Sequence, residues 1–281
     1  MQVTNRLHPR YIYERRERIV PFLLRAMQIP AHALGMPVTA NDRRLAALKD
    51  RHKSQRAFVI GMGPSLRTSD LDRLKGEVTF GCNKVYLAFD ETDWRPTYYS
   101  IVDILVAENN RDTISKLDLC KIFGRDVRPY FRDTGGIIYV RGRRSPIRQG
   151  VPQTEFSKNL LLGAYGGATV IYMQLQLAFH MGIREIYLMG IDFKYTTPEP
   201  TGELTKLGEV VLKHEGEMNY FHPDYRQPGE KWSFPMLDDM YEAFSCAKGA
   251  FEGEGGFIGN ASRQTALDVF PLVDFERLVP P

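Results

Sequence analysis

"GAYGGATVIYMQLQLAFHMGIREIYLMGIDF", residues 163–193, decides the fold. A glycine-rich lead-in opens onto a helical apolar pattern, ATVIYMQLQLAFHMG, and then onto REIYLMGIDF, which is apolar almost throughout. A half-exposed strand alternates polar and apolar residues, whereas a strand covered on both faces does not, so this unit predicts a parallel sheet between helices. The same alternation of strand and helix recurs on both sides. Upstream stand a strand RAFVIG, a short helix SDLDRLK with Ser69 as its N-cap, and the strand EVTFGCN. The strand TYYSIVD, the helix VAENNRDTISKL and the strand GGIIYVRG follow. Downstream come a helix, MLDDMYEAFSCAKGAFEGEG, and a last strand, GGFIGNA. The pattern predicts an α/β chain with a Rossmann-like, mostly parallel sheet and helices on both faces.

At 281 residues, with 43% hydrophobic and 25% charged residues, the chain is long enough for a sizeable core and ordinary in composition. No apolar run reaches the roughly 18 residues a membrane span needs. The start, MQVTNRLHPR, lacks a secretory apolar region. Cys82, Cys120 and Cys246 are well separated, which reads as reduced thiols in a cytoplasmic protein with no disulfide framework and no metal site. A net charge of +3 gives no argument for nucleic acid. The charge is uneven, however: residues 1–26 hold six arginines against Glu14 and Glu17. Residues 1–50 are therefore read as a basic helical arm and linker, and 51–281 as the nucleotide-binding domain. The arm is a solvated or oligomer-contact helix; peripheral contact with an anionic membrane is the alternative, weakened by Pro21.

In parallel sheets of this kind ligands sit beyond the carboxyl ends of the strands. Ser65, Asn83, Asp103 and Asp192 all fall at predicted strand ends. GMGPS (61–65) offers Gly61 and Gly63 for close backbone approach and a Ser65 hydroxyl for phosphate; a purely structural turn explains the same letters. Asn83 carries both donor and acceptor for reading a base or sugar. Gly166, Gly167 and Thr169 form a helix entry suited to an anion or sugar. Asp192, Lys194 and Tyr195 close the GIDFKY stretch, where the carboxylate suits ribose, a metal or a basic side chain. His214 and His222 lie in irregular sequence, and His222, within NYFHPDYRQPGEKW, suits a general base. His180 reads as structural. Arg141, Arg143, Arg144 and Arg148 cluster in RGRRSPIR, which could face an anionic acceptor.

The order GMGPSL, FGCN, glycine-rich loop and helix, EIYLMGIDF and histidine loop resembles the bacterial sialyltransferases of glycosyltransferase family 42, which read GNGPSL, FRCN and EIYLSGIDF. It is also similar to the MptE-like, or DUF115, proteins grouped with 6-hydroxymethylpterin diphosphokinases, whose ending NAS…ALDVFPLVDF the chain shares; the resemblance covers roughly residues 55–275. The resemblance implies a sialyltransferase-like variant of the nucleotide-binding fold and metal-independent, inverting transfer from a CMP-sugar. Gly61, Gly63 and Ser65 would approach the CMP phosphate, Asn83 would read the nucleotide, the Thr169 region would meet the donor and His222 would deprotonate the acceptor. Met62 stands where the family has asparagine, Lys194 where it has tyrosine, with Tyr195 beside it, and Asp103 where the sialyltransferases have asparagine. These departures argue against sialic acid and leave open whether Met62 permits an active site.

The expectation is therefore a cytoplasmic glycosyltransferase of surface polysaccharide assembly, with membrane association through the arm as an alternative, using a CMP-activated acidic sugar and a glycan or lipid-linked acceptor, and needing no cofactor. One alternative is a diphosphokinase passing pyrophosphate from ATP with magnesium, held by Asp103 and Asp192. A non-catalytic nucleotide-binding subunit is another.

Overall fold

A computed structural model of the chain describes residues 30–32, 34–131, 136–148, 151–205 and 209–279. The basic arm expected over the first residues lies outside the described residues.

Helix α1 (Ala40–Ala46) opens the described body. Its start is fixed by Thr39 and Asp42, which close a reciprocal capping box. Strand β1 (Arg56–Ile60) runs into the GMGPS turn, and α2 (Thr68–Asp72) follows. Its N-cap is Arg67, which makes no side-chain cap, rather than Ser69. Strands β2 (Val78–Cys82) and β3 (Tyr98–Ser100) precede α3 (Ile104–Lys116), whose N-cap is Asp103. The short β4 (Ile122–Gly124) and β5 (Ile138–Val140) come next, then the two-residue strands β6 (Gly142–Arg143), β7 (Ile147–Arg148), β8 (Val151–Pro152) and β9 (Ala164–Tyr165). Helix α4 (Val170–His180) feeds β10 (Glu185–Met189). A hairpin of β11 (Val211–Lys213) and β12 (Lys231–Ser233), helix α5 (Leu237–Glu252), β13 (Phe257–Asn260) and α6 (Phe275–Leu278) complete the order.

The central sheet has the order β13–β10–β1–β2–β3, and every pairing in it is parallel. A parallel bridge between Tyr99 and Lys121 carries it on to the parallel β4–β5 pair. All of β2 is buried, and β1 and β10 bury every residue but their first, as strands covered on both faces must. Every residue of α4 is buried as well, so the helix is core. Asn41 reaches from α1 to the far edge, donating through Nδ2 to Tyr139 O and accepting from Tyr139 N, each at 2.8 Å. That side chain pairs a strand edge that would otherwise stand open. It also docks α1, inside the expected linker, against the sheet. His32 is buried too, 3.0 Å from Asp42.

The chain moves from β1 outward through β2 and β3, then returns to place β10 on the other side of β1. The reversal makes the crevice beyond β1 and β10 the place where two loops part and a ligand can enter.

Candidate functional site

Two glycine-bearing loops meet at that reversal. Gly61 N donates to Met189 O at 2.7 Å and Gly63 N to Gly190 O at 2.8 Å. A Cβ on Gly61 would stand 2.5 Å from Gly190 O, and one on Gly63 would stand 2.7 Å from Asp192 Cγ. Both glycines therefore admit the neighbouring loop, where the sequence suggested they admit a ligand. Asp192 completes the join. Its Oδ2 accepts from Ser65 N at 2.7 Å and its Oδ1 from the Ser65 hydroxyl. The Ser65 hydroxyl, expected to meet phosphate, is spent on this clamp, and Ser65 does not line the cavity. The NAS segment holds the second loop from behind: Ser262 Oγ accepts from Ile191 N at 2.9 Å and Thr265 Oγ1 donates to Ile191 O at 2.8 Å.

Beyond the joined loops lies a cavity of about 360 Å³. Its wall gathers Gly61, Met62, Gly63, Asn83, Asp103, Gly166, Gly167, Thr169, Asp192, Lys194 and Tyr195 from segments far apart in sequence. Three wall residues, Asn83 (φ 47°), Ala168 (φ 54°) and Phe193 (φ 55°), hold left-handed backbone without being glycine. Such strain persists only where surroundings enforce it, and it gathers at functional sites. For Asn83 the enforcement is visible: its N–H donates to Ser100 O at 3.2 Å and its carbonyl accepts from Tyr99 OH. Its side-chain Oδ1 is buried with no hydrogen-bond partner among the described residues. Thr169 caps α4 by accepting from Ile171 N at 3.3 Å, so the amino end of α4 faces the cavity. Gly166 has open space where a Cβ would be, whereas Gly167 packs against Tyr172 and Ala243. Met62 is buried in the core while forming part of the wall.

The two histidines stand elsewhere. His222 does not line the cavity; its Nδ1 accepts from Asp224 N at 3.1 Å and so caps its own loop. In the neutral ring that bond leaves the proton on Nε2 and occupies the basic lone pair, so His222 is not placed as the expected base. His214 faces Glu217, with Nδ1 3.0 Å from Oε1. The histidine loop reaches the cavity through other residues. Phe221 N donates to Met62 O at 3.0 Å, and Tyr220, Tyr225, Arg226 and Trp232 join the wall.

Arg226 is the residue the sequence reading passed over. Only 8% exposed, it lies over the rings of Tyr220, Tyr225 and Trp232 at 5.0, 5.7 and 4.7 Å, and Tyr220 and Tyr225 stack on each other at 3.8 Å. Its Nη2 donates to Tyr220 OH at 2.8 Å, its Nη1 lies 3.6 Å from Glu230, and its buried Nε has no partner among the described residues. Burial works against the charge, but Tyr220, Tyr225 and Glu230 hold the guanidinium above its ordinary pKa. Lys84, directly after Asn83, donates to both oxygens of Glu230 at 2.8 and 2.9 Å and to Tyr225 O at 2.7 Å. Two buried cations thus share Glu230, and Arg226 also acts on the nearby carboxyl of Asp103, so the cluster sets two cations against two carboxylates. The available signal was the density of aromatics around a lone arginine in NYFHPDYRQPGEKW.

Of the arginine-rich loop, Arg141 lines the cavity but donates to Leu161 O at 2.7 Å and meets His32 Nδ1 at 2.6 Å, while Arg143 lies over Tyr165. Cys82, also on the wall, is an inert thiol whose burial pushes its pKa up to about 12. Burial raises the carboxyls of Asp103 and Asp192 above the usual range, against the hydrogen bonds that each accepts. Among the described residues no three His, Cys, Asp or Glu side chains converge as metal ligands, and none of the helices is long and apolar enough to cross a membrane.

A parallel α/β sheet with a strained cavity, lined by side chains of both charges at its topological reversal, defines the fold class: the doubly wound α/β kind. The chain belongs to the family described as 6-hydroxymethylpterin diphosphokinase MptE-like, which matches residues 36–198. Among solved structures it is similar to the MAf glycosyltransferase from Magnetospirillum magneticum AMB-1, at 15% identity and a TM-score of 0.49, covering 81% of this chain. It covers 35% of that protein, about a third of its length. It is also similar to the Campylobacter jejuni sialyltransferase CstII in complex with cytidine-5'-monophosphate, at 12% identity and a TM-score of 0.41, over 79% of this chain and 86% of that one. The CstII complex with CMP-3FNeuAc gives 13% identity and a TM-score of 0.40, over 78% and 86%. No curated protein matches the sequence.

Proposed function

We propose that the cavity binds a CMP-activated acidic sugar and transfers the sugar, with inversion, to a hydroxyl of a glycan or lipid-linked acceptor. The observation that carries this is the convergence of GMG, FGCN, GGAT, GIDFKY and Arg226 on one cavity at the reversal of strand order. Its volume of about 360 Å³ suits a mononucleotide and sugar. In this reading Asn83 reads the cytosine or ribose through its unpartnered acceptor and its amide. Gly166 and the first amides of α4 receive the phosphate, and Lys194, exposed at the mouth, stabilises the charge that builds as CMP leaves. Tyr195 borders the base. Arg226, buried in its aromatic box, takes the acid group of the sugar. Phe234 and Met236 line the same cavity and remain partly exposed, an apolar lip for a lipid-linked acceptor.

The family description favours a second reading, diphosphoryl transfer from ATP to a hydroxymethyl group. Magnesium for that chemistry needs carboxylate oxygens free to reach it. Asp192 gives both oxygens to Ser65 and Asp103 gives one to α3, so of these two residues only Asp103 Oδ2 is left to hold magnesium together with the donor phosphates. Both readings share a nucleotide donor and a hydroxyl acceptor; they part over which bond of the donor breaks. Calorimetric titration with CMP tests the first. Asn83→Ala should weaken binding by about tenfold or more, as loss of a buried hydrogen-bonding group does, and equal affinity in wild type and variant would remove Asn83 from the site.

A further inference from the structure

We propose that Asp103 is the general base of this cavity, taking the proton from the acceptor hydroxyl as the sugar leaves the nucleotide; the proposal rests on the transferase reading above.

Four carboxylates line the cavity: Asp103, Asp126, Asp192 and Glu209. Asp192 is fully engaged by Ser65. Glu209 Oε2 accepts from Thr205 Oγ1 at 3.0 Å and from Ser233 Oγ at 3.3 Å. Asp126 is exposed, so its carboxylate stays hydrated. Asp103 keeps an oxygen that Asp192 lacks and is less exposed than Asp126; Glu209 likewise engages one oxygen only, but of the two Asp103 alone follows a strand of the central sheet. It stands just past β3, and its Oδ1 accepts from Leu105 N at 2.7 Å and Val106 N at 3.1 Å, which fixes the carboxyl plane on the end of α3. Its Oδ2 takes no hydrogen bond from the described residues, so one oxygen is held and the other is left for a proton.

Charged and titratable neighbours act on it from every side. Arg226 and Glu230 on the aromatic loop oppose one another, Tyr220 stands near on the same loop, and Arg125 and Asp126 follow β4 on the adjoining wall. Burial outweighs these and strengthens the carboxylate as a base. A base whose pKa moves toward the working pH transfers protons more effectively. No histidine among the described residues lines the cavity, so no imidazole competes for the role.

The step balances without another reactant. An oxygen lone pair of the acceptor forms the bond to the anomeric carbon, and the bond from that carbon to the phosphate oxygen breaks. That bonding pair stays on the CMP phosphate, and the acceptor O–H proton passes to Asp103 Oδ2, from which solvent later removes it.

Asp103→Asn and Asp103→Ser each keep a side-chain oxygen able to cap α3, so the fold is retained and thermal melting checks it. Release of CMP from the CMP esters of N-acetylneuraminate and 3-deoxy-manno-octulosonate, with water as acceptor, is followed from about pH 5 to about pH 9 beside CMP binding. Both variants should bind CMP within about threefold of wild type yet release it about 100-fold more slowly, and the acid limb of the wild-type profile should vanish. Turnover within about threefold of wild type with that limb intact, in either variant, overturns the proposal and leaves the transferase reading standing. A wild type that neither binds CMP nor releases it overturns the reading itself, and the proposal with it.

Discussion

Asp192 grips Ser65 through both carboxylate oxygens, across 127 residues of sequence, and thereby ties the loop after β10 to the loop after β1. The grip sets the cavity floor, because Gly61, Gly63 and Gly190 leave no room for the loops to separate by a side chain. Asp192→Ala should lower stability by about 2–4 kcal/mol, the cost of losing two hydrogen bonds to a charged acceptor. At about 2–4 °C per kcal/mol, melting should fall by roughly 5–15 °C. Gly63→Ala should cost about 1–3 kcal/mol by forcing a Cβ against Asp192. Calorimetric melting measures both, and an unchanged Tm in either would deny the clamp.

Arg226→Met tests the buried cation without emptying its space. Methionine keeps contact with Tyr220, Tyr225 and Trp232, and Glu230 retains Lys84, so the fold should survive. Affinity for a CMP-activated acidic sugar should fall about 30-fold or more, and affinity for CMP by less, because the acid group is the part Arg226 is assigned. Competition binding measures the two losses. Equal losses would move Arg226 from the sugar to the phosphate.

Met62→Asn restores the residue found in the resembling sialyltransferases. Met62 is 6% exposed, so the change gives up about 1.5–3 kcal/mol of apolar burial. In return an amide enters the wall beside Asn83. Tighter CMP binding together with a lower Tm is the expected pair of results, and titration with melting reads both. Unchanged affinity would mean that this wall does not meet the nucleotide.

His180, buried at the end of α4, has its pKa held below the usual 6.5, first by burial and against the hydrogen bond from its Nε2 to Leu45 O at 3.1 Å. The unfolded chain therefore binds a proton at a pH where the folded chain does not. Stability from this group is complete above 6.5 and is lost as pH falls through the depressed folded value, with a slope of up to about 1.4 kcal/mol per pH unit. Melting from about pH 7 to about pH 5 should flatten in His180→Gln relative to wild type, and parallel curves would contradict this.

The sheet was legible because β1, β2 and β10 are continuous apolar runs, a pattern few other arrangements produce. Pairs of two-residue strands such as β6 and β9 carry no period at all and left no trace in the sequence. Strand-end residues could be placed at the crevice, but their partners could not. The bond from Ser65 to Asp192 depends on where β10 inserts beside β1, which spacing does not reveal. The glycines of GMG were read as making room for a ligand, whereas the room is filled by Gly190 and Asp192. The histidine loop meets the cavity through Tyr220, Tyr225 and Arg226 and not through His222, and an arginine among tyrosines draws less notice in a sequence than an imidazole.

The central claim, that the cavity at the strand reversal is a cytidine nucleotide site, is tested most directly by thermal shift with CMP, CDP, UDP, GDP and ATP, each with and without magnesium. CMP should raise the melting temperature without metal, and Arg226→Met and Asn83→Ala should reduce the rise. A shift by ATP that requires magnesium, with none from CMP, would contradict it in favour of diphosphoryl transfer, and no shift from any nucleotide would contradict both.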